Sequence, residues 1–176
     1  SFNHGSMANA MPMAIGASLA YPGRQVIAMC GDGGLSMLLG DMATIFQYKL
    51  PVKIIVYNNR SLGMVKLEME VGGMPDNETD MVNPDFAMIA HAMGYPGKNV
   101  HKPEEVDAAI KDCLDYNGPY LLNIFTNPNA LALPPKIEFD QVLGMTKSMA
   151  QLMLGGKMEE ALDTVKSNFK HIKDIL

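Results

Sequence analysis

The chain has no tryptophan, two cysteines and only two arginines in 176 residues, and each shortage argues against a class of protein. Cys30 and Cys113 stand apart, outside any CxxC or histidine-rich spacing, which speaks against a disulfide scaffold or a zinc site. They read as buried small hydrophobes in a reducing, cytoplasmic protein. Arg24 and Arg60 are the only guanidinium groups, and the net charge is −5, so the electrostatic footprint of a nucleic-acid-binding surface is missing. No apolar run approaches the roughly 18–20 residues that a membrane helix requires. The small, apolar N-terminal stretch has no basic region of the secretory-signal kind. Neither a GxGxxG nor a GxxxxGK[ST] run occurs, which removes the commonest phosphate-binding folds. What is present is a globular balance of 48% hydrophobic and 19% charged residues, with sixteen methionines supplying soft, adaptable packing.

Two short apolar runs, Arg24–Cys30 and Lys53–Asn58, read as buried strands of a parallel sheet. Between them, Ser36–Lys49 spaces Met37, Leu38, Met42, Ile45 and Phe46 at helical intervals, and Leu50-Pro51 ends the run. Strand, helix and strand make a βαβ unit with a right-handed crossover. Pro84–Met93 and Pro103–Tyr116 read as helices with proline near the first turn, and Tyr120–Thr126 as a third strand. The predicted fold class is α/β, a mostly parallel sheet with helices on both faces. Residues 1–135 form its domain and 136–176 a helical tail. The sequence opens at Ser1–His4 as if in mid-element, as expected of a piece of a longer chain.

The residues with the most chemical content follow the first two strands. Gly31-Asp32-Gly33-Gly34 comes after Cys30, and Asn58-Asn59-Arg60-Ser61-Leu62-Gly63 after Tyr57. In open α/β sheets ligands bind beyond the carboxyl ends of strands, so both loops face one crevice. The Gly33 and Gly34 N–H groups open the following helix, where a phosphate is favoured. Asp32 and Asn59 offer hard oxygens without thiolate or imidazole, the preference of Mg²⁺ or Ca²⁺, and a diphosphate could complete the shell. Taken singly, each loop reads as a tight turn. Placed 27 positions apart across a βαβ unit, they read as a ligand site.

This GDG…NN pattern closely resembles the signature of thiamine-diphosphate enzymes, from about Gly5 to Pro135. The resemblance implies thiamine diphosphate and Mg²⁺ as cofactors. It makes Asp32, Asn59 and the Ser61 carbonyl the metal ligands, with Gly33, Gly34, Leu62 and Gly63 lining the diphosphate. Gly5-Ser6-Met7-Ala8-Asn9-Ala10-Met11-Pro12 looks like the family's cofactor-clamping loop. There the Gly5 carbonyl would accept from the pyrimidine amino group, and Met7 would prop the cofactor in its bent form, bringing its reacting groups together. Without the resemblance Met7 reads as a core residue, and His4 beside the loop reads as structural rather than as a contact to substrate.

Within the family, the run GSMANAMP, the CGDGG and the segment LPPKI (133–137) are most similar to pyruvate oxidases of the quinone-reducing branch. Acetolactate synthases usually carry a Gln-Trp pair where Leu67 and Glu68 stand, whereas pyruvate oxidases place a glutamate at Glu68. Glu68 is therefore the candidate catalytic residue, against the plainer reading of a solvated helix carboxylate. Met64 departs from the pattern, since those oxidases often have Phe there and synthases have Met. The implied activity is oxidative decarboxylation of pyruvate, with electrons passed to FAD bound in another domain. The implied assembly is a homo-oligomer, a dimer or tetramer. Acetolactate synthase is the nearest alternative, and a non-catalytic binding fragment is a further one. The family's activating glutamate comes from a separate domain, so this chain alone is expected not to turn over. In the tail, Met158, Leu162, Val165, Phe169, Ile172 and Leu176 form an apolar stripe. Related oxidases reach the inner face of the membrane through such a segment, but the opposite face here lacks the usual cationic excess. Packing or oligomer contact is favoured over peripheral membrane contact.

Overall fold

A computed structural model of the chain describes residues 4–130 and 139–175. The segment LPPKI and the side chains of Phe169, Ile172 and Leu176 lie outside the described residues. The rest groups into two units, one built from residues up to Arg60 with Val82–Thr126, the other from Ser61–Met81 with residues from Asn127 onward. This grouping puts Ser61–Met81, with the helix it contains, in one unit with the tail.

The first unit holds a sheet of β1 (Val26–Gly31), β2 (Val52–Asn58), β3 (Gly97–Val100) and β4 (Tyr120–Phe125). The strands lie side by side in the order β1-β2-β4-β3, and every neighbouring pair is parallel. The fold class expected from the sequence is therefore the one observed. The expected strands fall where the apolar runs place them. β3 was not foreseen, because Gly-Lys-Asn-Val has neither an apolar run nor alternation, and only its pairing with β4 makes it a strand.

Helices cover both faces. On one, Met11 and Ala14 of α1 (Ala10–Ala20) and Phe86 and Ala90 of α5 (Phe86–Ala92) pack on Ala28, Cys30, Ile54, Val56 and Leu121. On the other, Ala109 and Cys113 of α6 (Val106–Asp115) pack on Ile55, Val100, Leu122 and Ile124. Both cysteines are free and buried, and burial pushes each thiol up to about 11. Lys53 belongs to this second face. Its stem is buried, and its Nζ donates to the Tyr116 and Gly118 carbonyls at 2.5 Å each. Those contacts tie β2 to the end of α6.

The single helix expected over Ser36–Lys49 is interrupted. The structure has α2 (Asp32–Met37), a 3₁₀ turn at Leu39–Asp41, and α3 (Met42–Gln47). Leu38 leaves the helical region at φ −126° and ψ 36°, and the flexible Gly40 follows it within the turn. Helix α5 begins at Phe86 rather than Pro84, because Asp85 is its N-cap, accepting from the Met88 N–H at 3.0 Å. That bond and two from Asn99 hold the Asp85 carboxyl below its ordinary range. Pro103–Glu105 is a 3₁₀ turn leading into α6.

The second unit consists of α4 (Gly63–Val71), α7 (Phe139–Leu154) and α8 (Met158–Ile175). At Gly144 of α7, a Cβ would lie 1.8 Å from the Val71 carbonyl oxygen, so only glycine permits this approach of α7 to α4. In α8, Met158, Leu162 and Val165 are exposed, while Ala161, Thr164 and Asn168 are buried. On the docked face, Ala161 packs with Met149 and Leu152 of α7, and polar contacts add to it. Asn168 Nδ2 donates to the Asn129 carbonyl at 2.8 Å, and Glu160 Oε1 accepts from Lys66 Nζ of α4 at 2.5 Å.

That ion pair belongs to a buried charge cluster. Asp76 lies 3.9 Å from Lys66 and 3.5 Å from Lys157, and Lys157 also reaches Glu160 at 3.4 Å. Glu70, one turn beyond Lys66, is fully buried, and neither carboxyl oxygen has a hydrogen-bond partner among the described residues. Desolvation, opposed by Lys66, moves it from its ordinary value of 4.5 to about 7. The folded chain therefore holds a proton there that the unfolded chain releases above about 4.5. Stability from this group is complete below that value and is lost as pH rises through about 7. Glu70→Gln, which mimics the protonated form, is expected to stabilise the chain at pH 8 by up to about 3 kcal/mol and to have little effect at pH 4. Urea unfolding at the two pH values checks this.

Candidate cofactor and metal site

The site begins where β1 gives way to α2. Gly31 is paired with Tyr57 of β2, so Asp32 follows one strand end while Asn58 closes the neighbouring strand and Asn59 follows it. Asp32 is buried at 2% exposure. Its Oδ1 accepts from the Gly33 N–H at 3.0 Å. Its Oδ2 accepts from the Arg60 N–H at 2.8 Å and from Asn83 Nδ2 at 2.7 Å. Asn83 Nδ2 also donates to Asn58 Oδ1 at 3.0 Å.

A carboxylate has about four lone-pair directions. Among the described residues three are taken, leaving one on Oδ1. A buried, ionisable oxygen with an open lone pair, beside the amide of a half-buried Asn59, is a donor set suited to a hard divalent cation. Among the described residues no three His, Cys, Asp or Glu side chains gather to hold a metal. A cation at Asp32 would thus draw its remaining ligands from amide, carbonyl, water or phosphate oxygens, the habit of Mg²⁺. The residues present fit Mg²⁺ with a diphosphate.

The glycines after Asp32 support the same fit. Gly33 is buried in the first turn of α2. A Cβ at Gly34 would meet the Ala8 backbone nitrogen at 3.4 Å, so the GDGG turn lies against the Gly5–Asn9 loop. Gly5 adopts φ +55° and is exposed, as is Met7 at 46%; Met7 is not a core residue. The expected loop ends earlier than Pro12, because Ala10 already begins α1 and Met11 packs in the core. Pro12 is tolerated there because the first turn needs no donor from it. Among the described residues, Ala8 at φ +66° and Arg60 at φ +55° are two of four non-glycine residues with positive φ. Such conformations cost on the order of 1–3 kcal/mol each, and each of the two loops carries one.

The remaining candidates belong to the second unit. Ser61 is buried and bridges Asp80 in antiparallel fashion. The Leu62 N–H donates to the Thr79 carbonyl at 2.8 Å, and Leu62 caps α4, which Gly63 opens. Glu68 stands exposed on α4. His4 is exposed.

Sequence reasoning missed Asn83. Asn83-Pro84 reads only as the extended entry to a helix, and nothing local ties that amide to a carboxylate 51 positions earlier.

A parallel α/β sheet with an acidic residue and an asparagine at adjacent strand ends, set against a glycine turn, is an arrangement suited to a phosphorylated cofactor with a metal. Residues 1–124 match the family described as thiamine pyrophosphate enzyme, C-terminal TPP binding domain, and the chain belongs to that family. Over 167 residues it is 36% identical to the putative thiamine pyrophosphate-containing protein YdaP of Bacillus subtilis, covering 95% of this chain and 29% of that protein. Over 122 residues it is 35% identical to the acetolactate synthase isozyme 2 large subunit of Escherichia coli, covering 68% of this chain and 22% of that subunit. Among solved structures, the thiamine diphosphate-dependent 4-hydroxybenzoylformate decarboxylase of Rhodococcus jostii superposes with a TM-score of 0.64 at 32% identity. That match covers 69% of this chain and 23% of the decarboxylase. The chain spans less than a third of the length of these curated relatives.

Proposed function

We propose that the chain is the thiamine-diphosphate- and Mg²⁺-binding domain of a pyruvate oxidase that decarboxylates pyruvate and passes electrons to FAD held elsewhere in the protein. The buried Asp32 carboxylate, with one oxygen lone pair left open beside Asn59, carries the cofactor part of this reading. Asp32 and Asn59 would hold the metal, and the N–H groups of Gly33 and Gly34 would meet the diphosphate. When bound, the cofactor supplies the electron sink that decarboxylation of a 2-keto acid needs. The protein's part is to fix the metal ligands and to keep the Met7 loop against the glycine turn.

One feature favours oxidase over synthase. Leu67-Glu68 stands where synthases usually have Gln-Trp, and Glu68 is an exposed carboxylate available to a substrate. The many acetolactate synthases among the relatives support the second reading, carbon–carbon ligation of two keto acids. Flavin absorbance of the purified whole protein, with acetate or acetolactate as the product of pyruvate, separates the two. In the same protein, Glu68→Gln is expected to lower kcat for pyruvate about 10²-fold or more while leaving thiamine-diphosphate affinity within about twofold of wild type. Unchanged kcat would return Glu68 to an ordinary surface carboxylate.

A further inference from the structure

We propose that Asn83 is a positioning residue for the metal site: its one amide nitrogen, held between Asp32 Oδ2 and Asn58 Oδ1, fixes both strand ends that carry the candidate ligands. The inference rests on the reading of Asp32 as a metal ligand and extends it to a residue outside the GDG…NN pattern.

Three donors hold the Asp32 carboxylate. Two are backbone N–H groups, of Gly33 and Arg60, which no side-chain substitution removes. The third, from Asn83 at 2.7 Å, is the shortest. The terminal torsion of an aspartate is broad and soft, so these donors decide which oxygen remains open. Two of them occupy Oδ2, which leaves Oδ1 to a cation.

The orientation of the Asn83 amide is settled by its surroundings. Both Asp32 Oδ2 and Asn58 Oδ1 are acceptors, at 2.7 and 3.0 Å, so only the NH₂ end can face them. Asn83 Oδ1 is buried and has no partner among the described residues. The backbone there is also restrained. Pro84 biases Asn83 toward extended conformations, and Asp85 anchors the next helix through its cap. Asn58 is 1% exposed and immediately precedes Asn59. Thus one rigid amide sets the end of β1 against the end of β2, and with it the spacing of Asp32 and Asn59.

Second-sphere partners of metal ligands typically contribute 10–100-fold in metal affinity. The test is calorimetric titration of thiamine diphosphate at a series of Mg²⁺ concentrations, using the protein as it occurs in the cell. Asn83→Ala and Asn83→Leu are each expected to weaken the apparent Mg²⁺ affinity about 10-fold or more. Saturating Mg²⁺ is expected to return thiamine-diphosphate affinity to the wild-type value. That rescue distinguishes positioning from general damage. Unchanged Mg²⁺ affinity in both variants, or a loss that saturating Mg²⁺ does not recover, overturns the proposal. Should neither variant fold, Asn83→Ser keeps a shorter donor and is expected to show a smaller shift of the same kind; no shift in it also overturns the proposal. Wild-type binding that ignores both Mg²⁺ and Asp32→Ala would instead defeat the reading of the site itself.

Discussion

Asp32→Ala is expected to weaken Mg²⁺-dependent binding of thiamine diphosphate by at least about 100-fold, the upper end of what losing a mere second-sphere partner costs. Asp32 is the only charged group among the candidate ligands. Its carboxylate is buried and already oriented by Gly33, Arg60 and Asn83, so its position is fixed before any cation arrives. Removing it deletes the one negative charge that offsets the desolvation of a divalent ion. It also leaves three N–H donors without their acceptor, at roughly 1–3 kcal/mol for each that stays buried and unpaired. Asp32→Asn, which keeps the shape and much of the hydrogen bonding, separates the two effects. It is expected to recover stability without recovering affinity. Calorimetry in Mg²⁺ buffer, alongside thermal unfolding without ligands, checks both. Near-wild-type affinity in a folded Asp32→Ala protein would remove Asp32 from the metal site.

Lys66→Met is expected to destabilise the second unit by about 3–5 kcal/mol, the usual cost of removing one partner from a buried ion pair. Lys66 Nζ lies 2.5 Å from Glu160 and 3.9 Å from Asp76, with the Lys66 and Asp76 side chains 3% and 4% exposed. Among the described residues its removal leaves Lys157 as the cation facing Asp76 and Glu160, while Glu70 loses the charge that most eases its ionisation. The loss should be greatest above pH 7, where Glu70 also carries charge, and smallest near pH 4. Urea unfolding followed by circular dichroism measures it. A change below about 1 kcal/mol at pH 8 would place the cluster in the class of solvent-screened surface pairs.

The parts of the fold legible in the sequence were those that local pattern specifies. Lys53–Asn58 is a β-branched run, and the Gly33-Gly34 pair after Asp32 has no ready role inside a strand. The candidate site was legible for the same reason, since Asp32 and Asn59 sit directly after such runs and the sheet topology brings strand ends together. What escaped depended on partners distant in sequence. β3 is a strand because β4 pairs with it, not because Gly-Lys-Asn-Val prefers to be extended. The face on which α8 docks, with Ala161, Thr164 and Asn168, is not the one its apolar stripe marks. Its polar contacts come from Lys66 and Asn129, which meet Glu160 and Asn168. Asn83 and Glu70 gave no signal at all. An asparagine before proline and a glutamate on a helix are commonplace, and only the folded chain places one on a carboxylate and buries the other.

The most direct measurement is the anomalous scattering of Mn²⁺, substituted for Mg²⁺, in crystals of the protein grown with thiamine diphosphate. The structure predicts one strong peak about 2.1 Å from Asp32 Oδ1 and from the Asn59 side-chain oxygen, with diphosphate density at the Gly33 and Gly34 amides. A peak elsewhere, or cofactor density without metal at Asp32, would contradict the account.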